Sequence, residues 1–171
     1  MPDTAEIALP TRRASTQLGR ALGASLAAGD LVLLSGELGA GKTFLVRAAL
    51  RALGVPGDER VTSPTFAIVH EHEARLRVAH ADLYRLEDAS ELGPLGLREA
   101  RAEGAALLVE WGLPYASELG GGALELELRL APAEPGQRAR RFAVLRARGA
   151  RARALLEATL SALERGRNRA R

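Results

Sequence analysis

The 171-residue chain predicts an α/β fold, with helices layered against a mostly parallel central sheet and antiparallel strands at the C-terminal end. Three observations carry this. Residues 31–35 ("LVLLS") and 105–111 ("AALLVEW") are short apolar runs of the kind buried on both faces of a parallel sheet. Helical spacing on either side of the first run gives the order helix, strand, glycine-rich turn, helix. By contrast, residues 124–130 ("LELELRL") alternate strictly, as in a strand with one solvated face, and 140–147 ("RRFAVLRA") reads as its partner across the turn "PAEPGQ".

In chain order, a short apolar stretch at 6–9 precedes an amphipathic helix from Ser15, with Leu18, Leu22, Ser25 and Leu26 at helical spacing and Gly29 as its stop. Asp30 leads into the first buried strand, 31–35. A glycine-rich turn follows at once, and 42–54 is a helix closed by Gly54. Residues 61–66 form a loop around Pro64, and 67–73 and 76–84 are two strands about a polar turn. Residues 88–104 make one or two short helices, 105–111 the second buried strand, and 150–163 the last helix. Neither an internal repeat nor a long linker divides this order, so 1–164 is expected to be one domain and 165–171 a disordered arginine-rich tail.

Composition narrows the classes of function. With no cysteine, a disulfide framework, a thiolate zinc site and a cysteine nucleophile are excluded. No apolar run of signal-peptide length opens the chain, and none approaches the roughly 18 residues of a membrane span, so a soluble cytoplasmic protein is expected. Net charge is +3, yet 11 arginines against two glutamates after residue 137 leave the body acidic and the C-terminal part basic. A basic segment of this kind could meet a phosphate backbone; its plain reading is a solvated, arginine-biased helix and tail.

Of 24 basic residues only Lys42 is lysine, and it lies in the glycine turn. Gly36, Gly41, Lys42 and Thr43 fit G-x-x-x-x-G-K-[ST], the P-loop, between a buried strand and a helix. Glycines let backbone N–H groups turn inward around phosphates, and the helix start adds its positive end. Lysine reaches the phosphates as a compact point charge where arginine's planar fork would need refitting. The Thr43 hydroxyl suits a magnesium ion bridging the same phosphates. Such a site needs an acidic partner at the end of a neighbouring strand, and Asp82 and Glu110 are the two candidates. The only asparagine is Asn168, so the Asn-Lys-x-Asp guanine reader is missing and adenine nucleotide is the better reading. His70, His72 and His80 read as surface or hydrogen-bonded strand residues rather than a metal site, and Trp111 alone reads as core.

The stretches "SGELGAGKTFLVRAAL", "VTSPTFAIVHEHE", "HADLYRLED", "ELGPLGL" and "LLVEWG" resemble, in order and spacing, the TsaE family, formerly YjeE. The resemblance spans about residues 9–149 and leaves the arginine tail unmatched. It implies a P-loop NTPase-like three-layer sandwich that binds ATP or ADP with Mg2+. It also implies work with the TsaB and TsaD proteins, which place threonylcarbamoyl on adenosine 37 of tRNAs reading codons beginning with A. The family's ATP hydrolysis resets that assembly, so tRNA is met indirectly or weakly and intrinsic turnover is low and partner-stimulated.

Matched position by position, Glu37, Leu38, Gly39, Ala40, Gly41, Lys42 and Thr43 correspond to the family's phosphate loop, and Thr43 with Glu110 to its magnesium site. Asp82 corresponds to a carboxylate needed for ATPase activity, and Trp111 to a tryptophan near the nucleotide. Ser63, Pro64 and Thr65 correspond to a switch-like loop in which Thr65 feels the γ-phosphate or orients water. Thr16 corresponds to the start of an N-terminal helix near the base, and Arg140 or Arg141 to an arginine approaching the nucleotide; Arg141 is the one carried forward. Two other readings stand beside this one: a small-molecule P-loop kinase, with Arg98 and Arg101 as its lid pair, and a non-catalytic nucleotide-dependent or RNA-binding module resting on the basic tail.

Overall fold

The computed structural model describes residues 3–57, 61–62, 69–131 and 140–168. Its strands are β1 (Thr4–Ala8), β2 (Leu31–Gly36), β3 (Val69–Glu73), β4 (Arg77–Asp82), β5 (Ala106–Glu110), β6 (Leu124–Ala131) and β7 (Arg140–Ala147). They form one sheet in the order β1-β7-β6-β2-β5-β4-β3. The central four, β6, β2, β5 and β4, run parallel, while β7 and β1 on one side and β3 on the other pair antiparallel.

Alternation along β2 explains the layering. Val32 and Leu34 join the larger core, covered by α1 (Arg12–Ser25), α2 (Lys42–Leu53) and α4 (Ala150–Asn168). Leu31 and Leu33 face the opposite way, into a smaller core closed by a 3-10 segment, Ala89–Leu95, by α3 (Leu97–Ala102) and by Leu119. Both faces of the strand are therefore dry, which is why its sequence shows no polar alternation. The result is helix, sheet, helix, the three layers expected.

Helices α1 and α2 approach closely because α1 carries glycine at the crossing. A Cβ on Gly23 would lie 2.1 Å from Ala49 O, and one on Gly19 would lie 2.6 Å from Ala48 Cβ. This contact sets α2, and with it the loop at its N-terminus, against the rest of the fold.

Two helices run beyond the sequence reading, while β4 stops at Asp82 rather than Tyr84. Helix α1 starts at Arg12 rather than Ser15, because Thr11 caps it, its Oγ1 accepting from Ala14 N at 3.1 Å. The arginines of that first turn lie outside the apolar stripe, so periodicity alone does not reveal it. Helix α4 runs on to Asn168, so 165–168 are helical where a tail was expected. Arg165 and Arg167 sit in its last turn, where cations complement the helix dipole. Residues 169–171 lie outside the described residues. No described helix is long and apolar enough to cross a membrane.

Candidate functional site

The site begins where β2 ends. Gly36 adopts φ 130°, and a Cβ there would sit 2.4 Å from Leu128 O of β6, so close strand packing and backbone conformation both demand glycine. Ala40 N donates to Glu37 O at 3.0 Å, closing the turn. Gly39 and Gly41 follow with φ 79° and 108°, and Gly41 caps α2 without any side-chain hydrogen bond. The first N–H groups of α2, which have no partners within the helix, thus open onto the loop's concavity together with the helix's positive end. Leu38 stands at the tip, exposed.

Lys42 is buried, and its Nζ donates to Gly36 O at 2.8 Å and Glu37 O at 2.9 Å. It also lies 4.1 Å from the centroid of the Trp111 ring. Burial holds its pKa below the usual lysine value, and the charges of Glu110 and Asp82 oppose that shift. The ammonium is thus parked on the loop's own carbonyls, within reach of any phosphate the loop receives.

Carboxylates come from the strand ends. Parallel pairing of β4 with β5 sets Asp82 opposite Glu110, and pairing of β2 with β5 sets Leu34 opposite Glu110. Thr43 Oγ1, on the first turn of α2, stands 2.8 and 2.9 Å from the two Glu110 oxygens. Beneath them, His80 Nε2 lies 2.9 Å from Glu110 Oε1. Asp82 Oδ1 accepts from Tyr84 N at 3.0 Å, a turn that ends the strand and leaves the carboxylate at the rim. A cavity of about 410 Å³ is lined by Lys42, Thr43, Asp82, Arg85, Glu110 and Trp111.

Trp111 is the one non-glycine residue with a left-handed φ, 60°, among the described residues. Such a backbone costs about 1–3 kcal/mol and persists only where its surroundings impose it. Here they do: Trp111 N donates to Leu34 O at 2.9 Å, and its ring packs against Tyr84 at 5.0 Å and under Lys42. The kink sets the indole on the cavity wall while it still packs against the smaller core, so Trp111 is both a core residue and a lining residue.

A second cavity, of about 220 Å³, lies on the other side of Gly41, lined by Arg12, Ser15, Phe44, Leu128 and Arg141. The Arg12 guanidinium sits 5.2 Å over the Phe44 ring, and Arg141 Nε is buried with no hydrogen-bond partner among the described residues. Apolar walls with two guanidinium groups suit a flat, polar-edged ligand. Thr16 does not line this cavity: it stands one turn along α1 from Arg12, which does, and its hydroxyl donates to Arg12 O at 3.0 Å. Arg140 is exposed beside it. Ser63, Pro64 and Thr65 lie outside the described residues.

The lid pair of the kinase reading is not at this site. Arg101 donates to Gly29 O at 2.9 Å and to Leu119 O and Gly121 O at 2.8 Å, tying loops at the start of β2, whereas the glycine loop leaves its far end. Arg98 is exposed on α3. Among the described residues no group of three or more His, Cys, Asp or Glu could hold a metal. The donors beside the loop are instead oxygens, Thr43 Oγ1 and Glu110 with Asp82 nearby. That set fits a hard cation that arrives with phosphates and keeps part of its water shell. His80 is the hydrogen-bonded strand residue that the sequence suggested, on the same strand face as Asp82; the lining residues that sequence reasoning missed include Arg12, Ser15, Phe44 and Arg85.

The family model described as "Threonylcarbamoyl adenosine biosynthesis protein TsaE" matches residues 9–140. A tRNA threonylcarbamoyladenosine biosynthesis protein TsaE from Mycobacterium tuberculosis is 40% identical over 130 residues, 70% of this chain and 76% of its own. One of the same name from Streptomyces coelicolor is 40% identical over 132 residues, 75% of this chain and 87% of its own. Among solved structures, the crystal structure of Bacillus subtilus YdiB superposes with a TM-score of 0.72 at 25% identity, over 92% of this chain and 95% of that one.

Proposed function

The chain belongs to the TsaE family, and from that premise we propose that it is the ATP-binding and hydrolysing subunit of tRNA threonylcarbamoyladenosine biosynthesis. It acts with the TsaB and TsaD proteins in the cytoplasm and meets tRNA indirectly or weakly. The observation that carries this reading is the meeting of Thr43 with Glu110, 67 residues apart in sequence, directly beneath a glycine loop whose helix end is uncapped.

Each group has a task that follows from its place. Backbone N–H groups of residues 39–43 cradle the phosphates, and Lys42 exchanges its two carbonyl partners for phosphate oxygens, a swap between hydrogen bonds that costs little. Thr43 and Glu110 would hold Mg2+, which when bound offsets the charge on the β- and γ-phosphate oxygens. Asp82, at the rim of the same cavity, orients the attacking water and accepts its proton, with Thr65 contributing from its loop. Trp111 forms the wall on which Lys42 rests, and the cavity of Arg12, Ser15, Phe44 and Arg141 takes the base and ribose. Tyr84, which lines the phosphate cavity, is 57% exposed. Exclusion of water there falls to a partner, so turnover by the isolated protein is slow.

Calorimetric titration with ADP and magnesium tests the site. Lys42→Ala should bind about 10–100-fold more weakly, the worth of a charge-assisted contact to phosphate; equal binding by parent and variant would sink the assignment. Pull-down with TsaB and TsaD, with and without ATP, tests the cellular role, and a complex indifferent to nucleotide would remove it. The kinase reading loses its support with Arg101 engaged at the opposite end of the sheet.

A further inference from the structure

We propose that His80 is a positioning residue for the metal-binding carboxylate: its Nε2–H fixes the plane in which Glu110 faces Thr43 and the cation that accompanies the nucleotide. The inference rests on the functional reading above and extends it to a residue that reading does not use.

A strand position alone does not set that plane. The last torsion of a glutamate is broad and nearly two-fold, so the carboxyl group turns easily unless something holds it. Thr43 Oγ1, 2.8 and 2.9 Å from the two oxygens, is a single contact point and does not by itself fix the plane. His80 supplies the second point, its Nε2 being 2.9 Å from Oε1. The side chains of His80 and Glu110 are 0% and 3% exposed, so water does not compete for either partner. A carboxylate only accepts, which places the ring proton on Nε2 and settles the tautomer.

The imidazole is a poor core filler by other measures. It sits in β4 between Ala79 and Ala81, opposite Leu108 of β5, all fully buried. Its Nδ1 has no hydrogen-bond partner among the described residues. An unmet polar atom in the interior is unfavourable, and a leucine or phenylalanine here would avoid it. What a hydrocarbon could not supply is the single directed N–H on Glu110. Partners of this kind behind a metal ligand typically change metal affinity by about 10–100-fold when lost.

The test is calorimetric titration of ADP into full-length protein, once in EDTA and then across a series of Mg2+ concentrations. His80→Phe removes the donor and keeps a flat ring, somewhat larger than imidazole, while His80→Gln can set an amide N–H near the position of Nε2. The expected result for His80→Phe is a rise of roughly 10-fold or more in the Mg2+ concentration that half-saturates the gain in ADP affinity, with affinity in EDTA unchanged. His80→Gln should recover most of that loss. If His80→Phe does not fold, as judged by thermal unfolding, His80→Asn, whose amide is too short to reach Glu110, takes its place with the same expectation. Parent-like magnesium dependence in the variant lacking the donor overturns the inference. So does an equal loss of affinity in EDTA, which would mark a merely structural residue. A parent protein whose ADP affinity ignores magnesium overturns the metal assignment to Thr43 and Glu110 as well.

Discussion

Gly36 shows how one residue joins strand to site. Its φ of 130° and the 2.4 Å approach of Leu128 O leave no room for any side chain. Gly36→Ala should therefore destabilise the fold by at least about 2 kcal/mol, from strain and backbone displacement together. Urea unfolding of parent and variant checks this, and an unchanged midpoint would mean that the strand end relaxes freely. The motif makes Gly36, Gly41, Lys42 and Thr43 legible from sequence, because the chemistry of a phosphate cradle fixes their spacing. The carboxylates are legible only as candidates, since the pairing of Asp82 with Glu110 belongs to the sheet register and not to either strand alone. Trp111 reads as a site residue only through the family resemblance, since its left-handed backbone, with Trp111 N bonded to Leu34 O, has no local signature.

At the scale of elements, the α1–α2 crossing carries the loop. Gly23 permits a backbone approach that a methyl group would obstruct, with Ala49 O 2.1 Å from its Cβ position. Gly23→Ala should push the helices apart and cost about 2–4 kcal/mol, more than the gain in helix propensity returns. It should also weaken ADP binding although Gly23 lines neither cavity, because α2 carries Lys42 and Thr43. Thermal unfolding and calorimetry together check it; full stability would show that the helices have slack. Periodicity locates α1 and α2 well, since each buries one apolar stripe. It misplaces the start of α1 by three residues because a cap, not a hydrophobe, decides it. Arg101 is a similar case: its spacing suggests a lid, while its three carbonyl partners come from two loops distant in sequence.

For the whole molecule, acid sensitivity follows from the solvated face of the C-terminal hairpin. Glu127 accepts from Arg129 at 2.8 Å and from Arg146 at 3.0 Å, and these partners, Arg129 foremost, lower its pKa from 4.5 to about 2. A depressed carboxylate contributes stability that is complete above its unfolded value and is lost as pH falls from about 4.5 through about 2. Glu127→Gln should cost of order 1 kcal/mol at pH 7, the pair being partly solvated, and should flatten the decline of stability across that window. Denaturation at a series of pH values checks both, and an unchanged acid limb would place the sensitivity elsewhere. The mixed sheet has one more consequence. Among the described residues strand β1 pairs with β7 alone, Thr4 lying opposite Arg146, and Asp3 O accepts from Ala147 N at 2.8 Å. During synthesis β1 therefore leaves the ribosome long before this neighbour exists, a wait of roughly ten seconds at ordinary elongation rates. Ile7 and Leu9, both buried in the finished protein, spend that interval in water or on a chaperone.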